Sequence, residues 1–97
     1  MDGFSIRVAT QDILSRPEKR KLMVILSDGL PDDINDVRDA VEEARKRGIK
    51  VVAIYFSDYP DHETEKTFGW MYQKDYIITE PENIGEELIK GLKGFFL

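Results

Sequence analysis

Cysteine is absent from the 97-residue chain, and with it any disulfide framework, thiolate nucleophile or cysteine-based zinc site. That absence fits a reducing compartment. Histidine occurs once, as His62, with no serine or cysteine at a recognisable nucleophile spacing, so no catalytic triad can be assembled. Gly3, Gly29, Gly48 and Gly69 form neither G-x-G-x-x-G nor a Walker sequence, which removes the usual phosphate cradle. No apolar run approaches the ~18 residues of a membrane span. Met1-Asp2-Gly3 does not begin a cationic, apolar leader, so the expected location is the cytoplasm. Positive charge is also short, with a net charge of -5. The one basic cluster, Arg16 to Lys21, is interrupted by Pro17 and Glu18, and phosphate neutralisation needs more, so nucleic acid is not an expected partner.

What is present is enough for one modest core: 41% of the residues are hydrophobic and 10% aromatic, in a length that suits a single domain. The chain is organised around Lys21 to Asp33. Leu22 to Leu26 are apolar in succession, too continuous for a half-exposed strand and too short, before Gly29 and Pro31, for a helix. A strand covered on both faces fits, and that is the habit of parallel sheets flanked by helices. In such sheets ligands gather beyond the carboxyl ends of the strands, which is where Ser27, Asp28 and the loop Gly29-Leu30-Pro31-Asp32-Asp33 fall.

In chain order, Ser5 to Leu14 has helical apolar spacing at Ile6, Ala9 and Ile13, with Asp2 as a candidate cap and Pro17 as the latest end. After the central strand, Val37, Ala40, Val41 and Ala44 mark one apolar face of a second helix. Asp32, Asp33, Asn35 and Asp36 stand at its positive end, and Gly48 is its left-handed terminator. Glu42 and Glu43 precede Lys46 and Arg47 by four residues, the order that favours ion pairs along an exposed face. Ile49 to Phe56 is a second strand, ending at Ser57 and Asp58. A βαβ crossover makes the two strands parallel and puts Asp28 and Asp58 on one rim. His62 to Tyr72 reads as a short helix weakened by Gly69, Tyr76 to Thr79 as a third strand, and Pro81 with Asn83 as the start and cap of a last helix with Ile84, Leu88, Leu92 and Phe95 on one face. The order is α-β-α-β-α-β-α, a parallel three-stranded sheet flanked by helices.

Asp28 is the sharpest chemical candidate. Held over a sheet rim, it has the position of one oxygen ligand to Mg²⁺, or of a turn former bonding its own backbone. Asp32, Asp33 and Asp36 lack the alternating order of an EF-hand loop and suit helix capping. Trp70, Tyr72 and Tyr76 are candidates either for a binding patch or for burial against the sheet edge.

The segments Asp2-Gly3, Arg16-Pro17-Glu18 and Ser27-Asp28-Gly29-Leu30-Pro31, with the step Lys46-Arg47-Gly48-Ile49-Lys50-Val51, resemble von Willebrand factor type A (vWA) domains. The resemblance is to the bacterial branch found in nitric-oxide reductase activation proteins and the similar cobaltochelatase subunit. It covers residues 1–97 as a single domain that matches the C-terminal part of the family's domain. It implies a partial Rossmann-like α/β three-layer sandwich. Of the family's metal-ion-dependent adhesion site, which begins with Asp-x-Ser-x-Ser and adds a threonine, only Asp28 has a counterpart. Thr10 is not equated with that threonine. Mg²⁺ is then expected in a complete domain and weak or absent in this chain, because the ion takes about six oxygens. The resemblance further implies a non-enzymatic interaction module that works with a MoxR-type AAA+ ATPase to activate a metalloenzyme such as nitric-oxide reductase. Ser27, Gly29, Leu30, Pro31, Asp32, Asp33 and Asp58 would form the partner surface. The strand Leu22 to Leu26 would lie mid-sheet in a complete domain. Here one of its edges is expected to lack a partner, favouring lower stability or self-association. Two rivals are a Mg²⁺-dependent receiver-like or phosphatase-like domain using Asp28 with Asp58, and a plain structural scaffold.

Overall fold

The computed structural model describes the backbone of residues 1–96 and the side chains of residues 1–93. Phe95, expected on the inner face of the last helix, lies outside the described side chains. Helix α1 (Gly3–Leu14) leads to strand β1 (Lys21–Ser27), α2 (Ile34–Lys46), β2 (Ile49–Phe56), α3 (His62–Tyr72), β3 (Tyr76–Thr79), a 3₁₀ turn (Pro81–Asn83) and α4 (Ile84–Phe96). The sheet order is β1-β2-β3 with both pairings parallel, and the register sets Met23 opposite Val51 and Ile54 opposite Ile77.

Alternation along the strands sorts the layers. Met23 and Ile25 of β1 and Ile49, Val51, Ala53 and Tyr55 of β2 share one core with Ile6 of α1, Val37, Ala40, Val41 and Ala44 of α2, and Phe68, Met71 and Tyr72 of α3. Each large apolar side chain buried there contributes about 1.5–3 kcal/mol. The opposite face carries Val52 and Ile54, and α4 packs on β2 and β3, with Gly91 close to Val52 and Ile77. Three layers result. β1 gains little from α4: Leu26 is 51% exposed, while Leu22 and Val24 are half-buried.

Three helices are capped as their sequences require. Asp2, Asp33 and Asp61 accept from the backbone N–H groups of Ser5 (2.8 Å), Asp36 (3.0 Å) and Thr64 (2.8 Å), meeting donors that the first turn leaves unpaired. Gly48 takes φ +90° after α2, a conformation that disfavours any Cβ. Gly69 lies under Tyr76, whose hydroxyl would be 2.9 Å from an added Cβ, so this helix-weakening residue lets α3 approach β3.

Some local expectations need correction. Asn83 lies inside the 3₁₀ turn, its N–H donating to the Glu80 carbonyl (3.0 Å), rather than standing as the cap of α4. Glu42 pairs backward with Arg38 (3.7 Å) and accepts from Gln73 (3.1 Å), and Glu43 reaches Arg7 of α1 (3.7 Å). Tertiary neighbours thus engage the carboxylates expected to pair forward along α2. Of the three aromatics near the third helix, Tyr72 is buried. Trp70 is 48% exposed, with the Arg38 guanidinium stacked 3.6 Å from its ring centroid.

Arg45, in the last turn of α2, ties the far side together. Its guanidinium donates to the carbonyls of Tyr72, Val51 (3.1 Å) and Lys74 (2.7 Å). It thereby holds the α3–β3 turn, where Gln73 and Asp75 adopt positive φ values of 64° and 55° without being glycine.

Candidate functional site

The pairing of β1 with β2 ends at Ser27 opposite Tyr55, so Asp28 is the first residue beyond the sheet. Ser27 shapes the turn: its hydroxyl donates to the Gly29 carbonyl and accepts from the Gly29 N–H (3.4 Å). Asp28 is therefore aimed off the rim and exposed, as are Gly29, Leu30, Asp32 and Asp33, with Pro31 half-buried between them. An open cleft of about 570 Å³ lies over this loop. The first turns of α1 and α2 close it, because α1 runs back along β1 and brings its N-terminus to the strand's carboxyl end. Five aspartates line the cleft, Asp2, Asp28, Asp32, Asp33 and Asp36, with no lysine or arginine among its lining residues. Met1, Phe4, Leu26 and Leu30 supply its apolar wall, each exposed by 40% or more.

Three of these carboxylates are engaged. Asp2 and Asp33 cap their helices, and Asp36 accepts from Arg7 Nη1 at 2.8 Å. The Ser5 backbone N–H, then the Ser5 side chain, hold the Asp2 carboxyl below its ordinary range. Asp28 and Asp32 have no hydrogen-bond or ion-pair partner among the described residues. Among those residues no group of three or more His, Cys, Asp or Glu side chains is arranged to hold a metal ion.

Asp58 lies on the same rim but does not line this cleft. It sits near Glu80, whose carboxyl is raised above its ordinary range because its protonated form donates a hydrogen bond to Glu82, and then by the charges of Glu82 and Asp58. The Ser57 N–H donates to the Thr79 carbonyl (3.1 Å), joining the ends of β2 and β3 there. The rim therefore has two acidic corners, Asp28 lining the cleft and Asp58 beside Glu80. His62 is exposed at the start of α3, and Thr10 is buried with its hydroxyl donating to the Ile6 carbonyl (2.8 Å), away from the rim. Sequence reasoning missed Asp2 as a cleft residue. In the sequence it reads only as a cap, although its place at the start of a helix antiparallel to β1 carries it to the site.

The profile of the von Willebrand factor type A domain matches residues 4–82, which takes in the rim loop, both following strands and all but the first residues of the cleft. The chain belongs to the vWA family. Among curated relatives, protein YojO of Bacillus subtilis is 40% identical over 85 residues, covering 79% of this chain and 13% of YojO. Protein PA0525 of Pseudomonas aeruginosa is 43% identical over 56 residues, covering 48% of this chain and 9% of that protein. Protein NorD of Brucella suis is 34% identical over 61 residues, covering 54% of this chain and 10% of NorD. The chain thus spans about an eighth or less of the length of these relatives. The vWA assignment carries the coarse function with it: a module for protein interaction. No helix among the described residues is long and apolar enough to cross a membrane.

Proposed function

We propose that this vWA chain is a non-enzymatic, cytoplasmic contact module whose working surface is the β1 rim, and that it serves a MoxR-type AAA+ ATPase in the activation of a metalloenzyme such as nitric-oxide reductase. The observation that carries the reading is the cleft itself. Two exposed, unpartnered carboxylates, Asp28 and Asp32, stand beside exposed Leu30, Leu26 and Phe4, a mixture of charge and apolar area that suits a protein partner. The likeness to NorD, together with the Ser27-Asp28-Gly29-Leu30-Pro31 segment, supports the choice of pathway. Ser27 and Gly29 set the turn, Pro31 stiffens it, Asp33 anchors it to α2, and Asp58 marks the second corner of the same rim. Mg²⁺ bound at Asp28 would need most of its oxygens from outside this chain, so the contact is assigned to the protein groups.

The receiver-like or phosphatase-like reading needs Asp28 and Asp58 to act jointly, and their separation into two corners speaks against it. A plain scaffold would leave Asp28 and Asp32 without a task. Affinity for the purified ATPase, measured by biolayer interferometry, tests the proposal. Asp28→Asn and Asp32→Asn together are expected to weaken binding roughly ten-fold or more, with circular dichroism unchanged. Unaltered affinity in that double variant, or no binding by the parent chain, sinks it.

A further inference from the structure

Asp-Gly occurs twice in the chain, at Asp2-Gly3 and at Asp28-Gly29, and the fold treats the two pairs in opposite ways. Glycine has no Cβ, so nothing on the second residue of such a pair hinders its own backbone nitrogen from approaching the aspartate side chain. That approach then depends on what else holds the carboxyl and the nitrogen. At the first pair both are held. Asp2 Oδ1 accepts from the Ser5 N–H at 2.8 Å, and Gly3 is buried in the first turn of α1, where an added Cβ would collide with the Asp36 carboxylate.

At the second pair neither is held. Asp28 is exposed and has no hydrogen-bond or ion-pair partner among the described residues. The Gly29 N–H enters no backbone bond among them, and its one acceptor is the Ser27 hydroxyl at a long 3.4 Å. Beyond its chain neighbours, no heavy atom lies within 4 Å of the place a Gly29 Cβ would take, so the peptide unit can turn without a clash. The other carboxylates of the loop are less suited. Asp32 is followed by Asp33, whose side chain hinders the nitrogen, while Asp33 and Asp36 are engaged by the Asp36 N–H (3.0 Å) and Arg7 Nη1 (2.8 Å).

We propose that Asp28-Gly29 is a site of covalent self-modification, at which the folded chain converts to isoaspartate while Asp2-Gly3 is spared. The Gly29 nitrogen bonds to Asp28 Cγ, one carboxyl oxygen leaves as water with the acid proton and the amide proton, and a succinimide ring closes. Water then returns at one of the two ring carbonyls. Attack at Cγ restores aspartate. Attack at the α-carbonyl breaks its bond to the Gly29 nitrogen and leaves the chain running through Cβ and Cγ, with a free α-carboxylate. The water lost equals the water regained, so no other reactant is needed and the mass is unchanged. The product carries one more carbon in the main chain at the tip of β1. That insertion pulls the Gly29 carbonyl and N–H away from the Ser27 hydroxyl and displaces the negative charge. A loss of partner binding on isomerisation rests on the rim contact proposed above; the chemistry itself does not.

The test incubates the 97-residue chain at neutral pH and physiological temperature, folded and, in parallel, unfolded in urea. Trypsin then places the two pairs on separate peptides, residues 1–7 and 22–38. Isoaspartate in each is counted with isoaspartyl O-methyltransferase, which moves a labelled methyl group from S-adenosylmethionine to the free α-carboxylate, and electron-transfer fragmentation assigns the residue. In the folded chain isoaspartate is expected to form at residue 28 roughly ten-fold faster than at residue 2, the factor in barrier that a retained capping bond supplies. In urea the two rates are expected to converge. Gly29→Ala fills open space and hinders the nitrogen, so it is expected to slow the reaction several-fold with circular dichroism unchanged. Equal rates at the two pairs in the folded chain, isoaspartate at neither, a gap that persists in urea, or a Gly29→Ala chain that reacts as fast as the parent would each overturn the proposal. Isomerised chain, separated by ion exchange, that still binds the ATPase with the parent's affinity would instead overturn the rim contact and leave the modification standing.

Discussion

Replacing Arg45 by methionine removes the clamp on the α3–β3 turn while keeping an unbranched apolar stem of similar length. Three donated bonds disappear, to the carbonyls of Tyr72, Val51 and Lys74. A bond from a charged donor is worth about 1.5–3 kcal/mol, but the three do not add in full. They share one group, and the Val51 carbonyl lies within a paired strand. Burial also opposes the charge, since desolvation lowers the Arg45 pKa from its ordinary value despite the nearby Asp75, so part of the gain is already offset. Its buried Nε, moreover, has no hydrogen-bond partner among the described residues. The net loss on Arg45→Met is therefore expected at about 2–4 kcal/mol, a large fraction of the ~5–15 kcal/mol that holds a domain folded. In a domain of this size it lowers Tm by roughly 10–25 °C. Urea unfolding followed by circular dichroism measures the loss, and amide exchange locates it: protection should fall first at residues 73–79, where Gln73 and Asp75 are held at positive φ. Arg45→Lys retains one donor group and is expected to lie between. A change under about 0.5 kcal/mol, the range of ordinary surface substitutions, or a loss of protection spread evenly over the sheet, would refute the reasoning.

Gly48→Ala meets no atom within 4 Å, so its cost is purely the φ of +90°, and about 1–2 kcal/mol of destabilisation is expected in urea melts. Burial pushes the Tyr72 phenol up to about 12. A raised folded pKa means its contribution is intact below the unfolded value near 10 and is lost as pH climbs through 12, by ~2–3 kcal/mol in all. Alkaline melts should show that decline, and Tyr72→Phe should remove it. Asp2 and Asp61 have depressed carboxyls through their capping bonds, so their stabilisation is present above the ordinary carboxylate pKa and fades as pH falls through the lower folded value. A double change to asparagine, which still caps, should flatten that acid limb. Mg²⁺ titration into the chain alone, followed by amide shifts, is expected to show no saturable site at low millimolar concentration; saturation centred on Ser27 to Gly29 would contradict the donor geometry.

The layered fold was readable because each signal had one physical cause. Continuous apolar runs at Leu22 to Leu26 and Ile49 to Phe56 became parallel strands, and the caps at Asp2 and Asp33 and the terminator Gly48 stand where their chemistry requires. Asp28 was placed at the rim by the same logic, as the first polar residue after a buried strand. What stayed hidden depends on contacts between segments distant in sequence. Arg45 reads as an ordinary basic residue in a last turn until Tyr72 and Lys74 arrive 27 and 29 residues later. Trp70 fits either a binding patch or burial until Arg38 is found stacked on it at the surface. Asp58 shares a rim with Asp28 by topology, yet which corner it joins is settled only by the meeting of β3 with the loop after β2.

The account turns on the β1 rim being the face that a partner touches. Amide shift mapping of the ¹⁵N-labelled chain against the unlabelled AAA+ ATPase tests this most directly. Perturbations concentrated at residues 27–33 and at the first turns of α1 and α2 are the predicted result; perturbations confined to α3 and α4, with Asp28 and Asp32 silent, would contradict it.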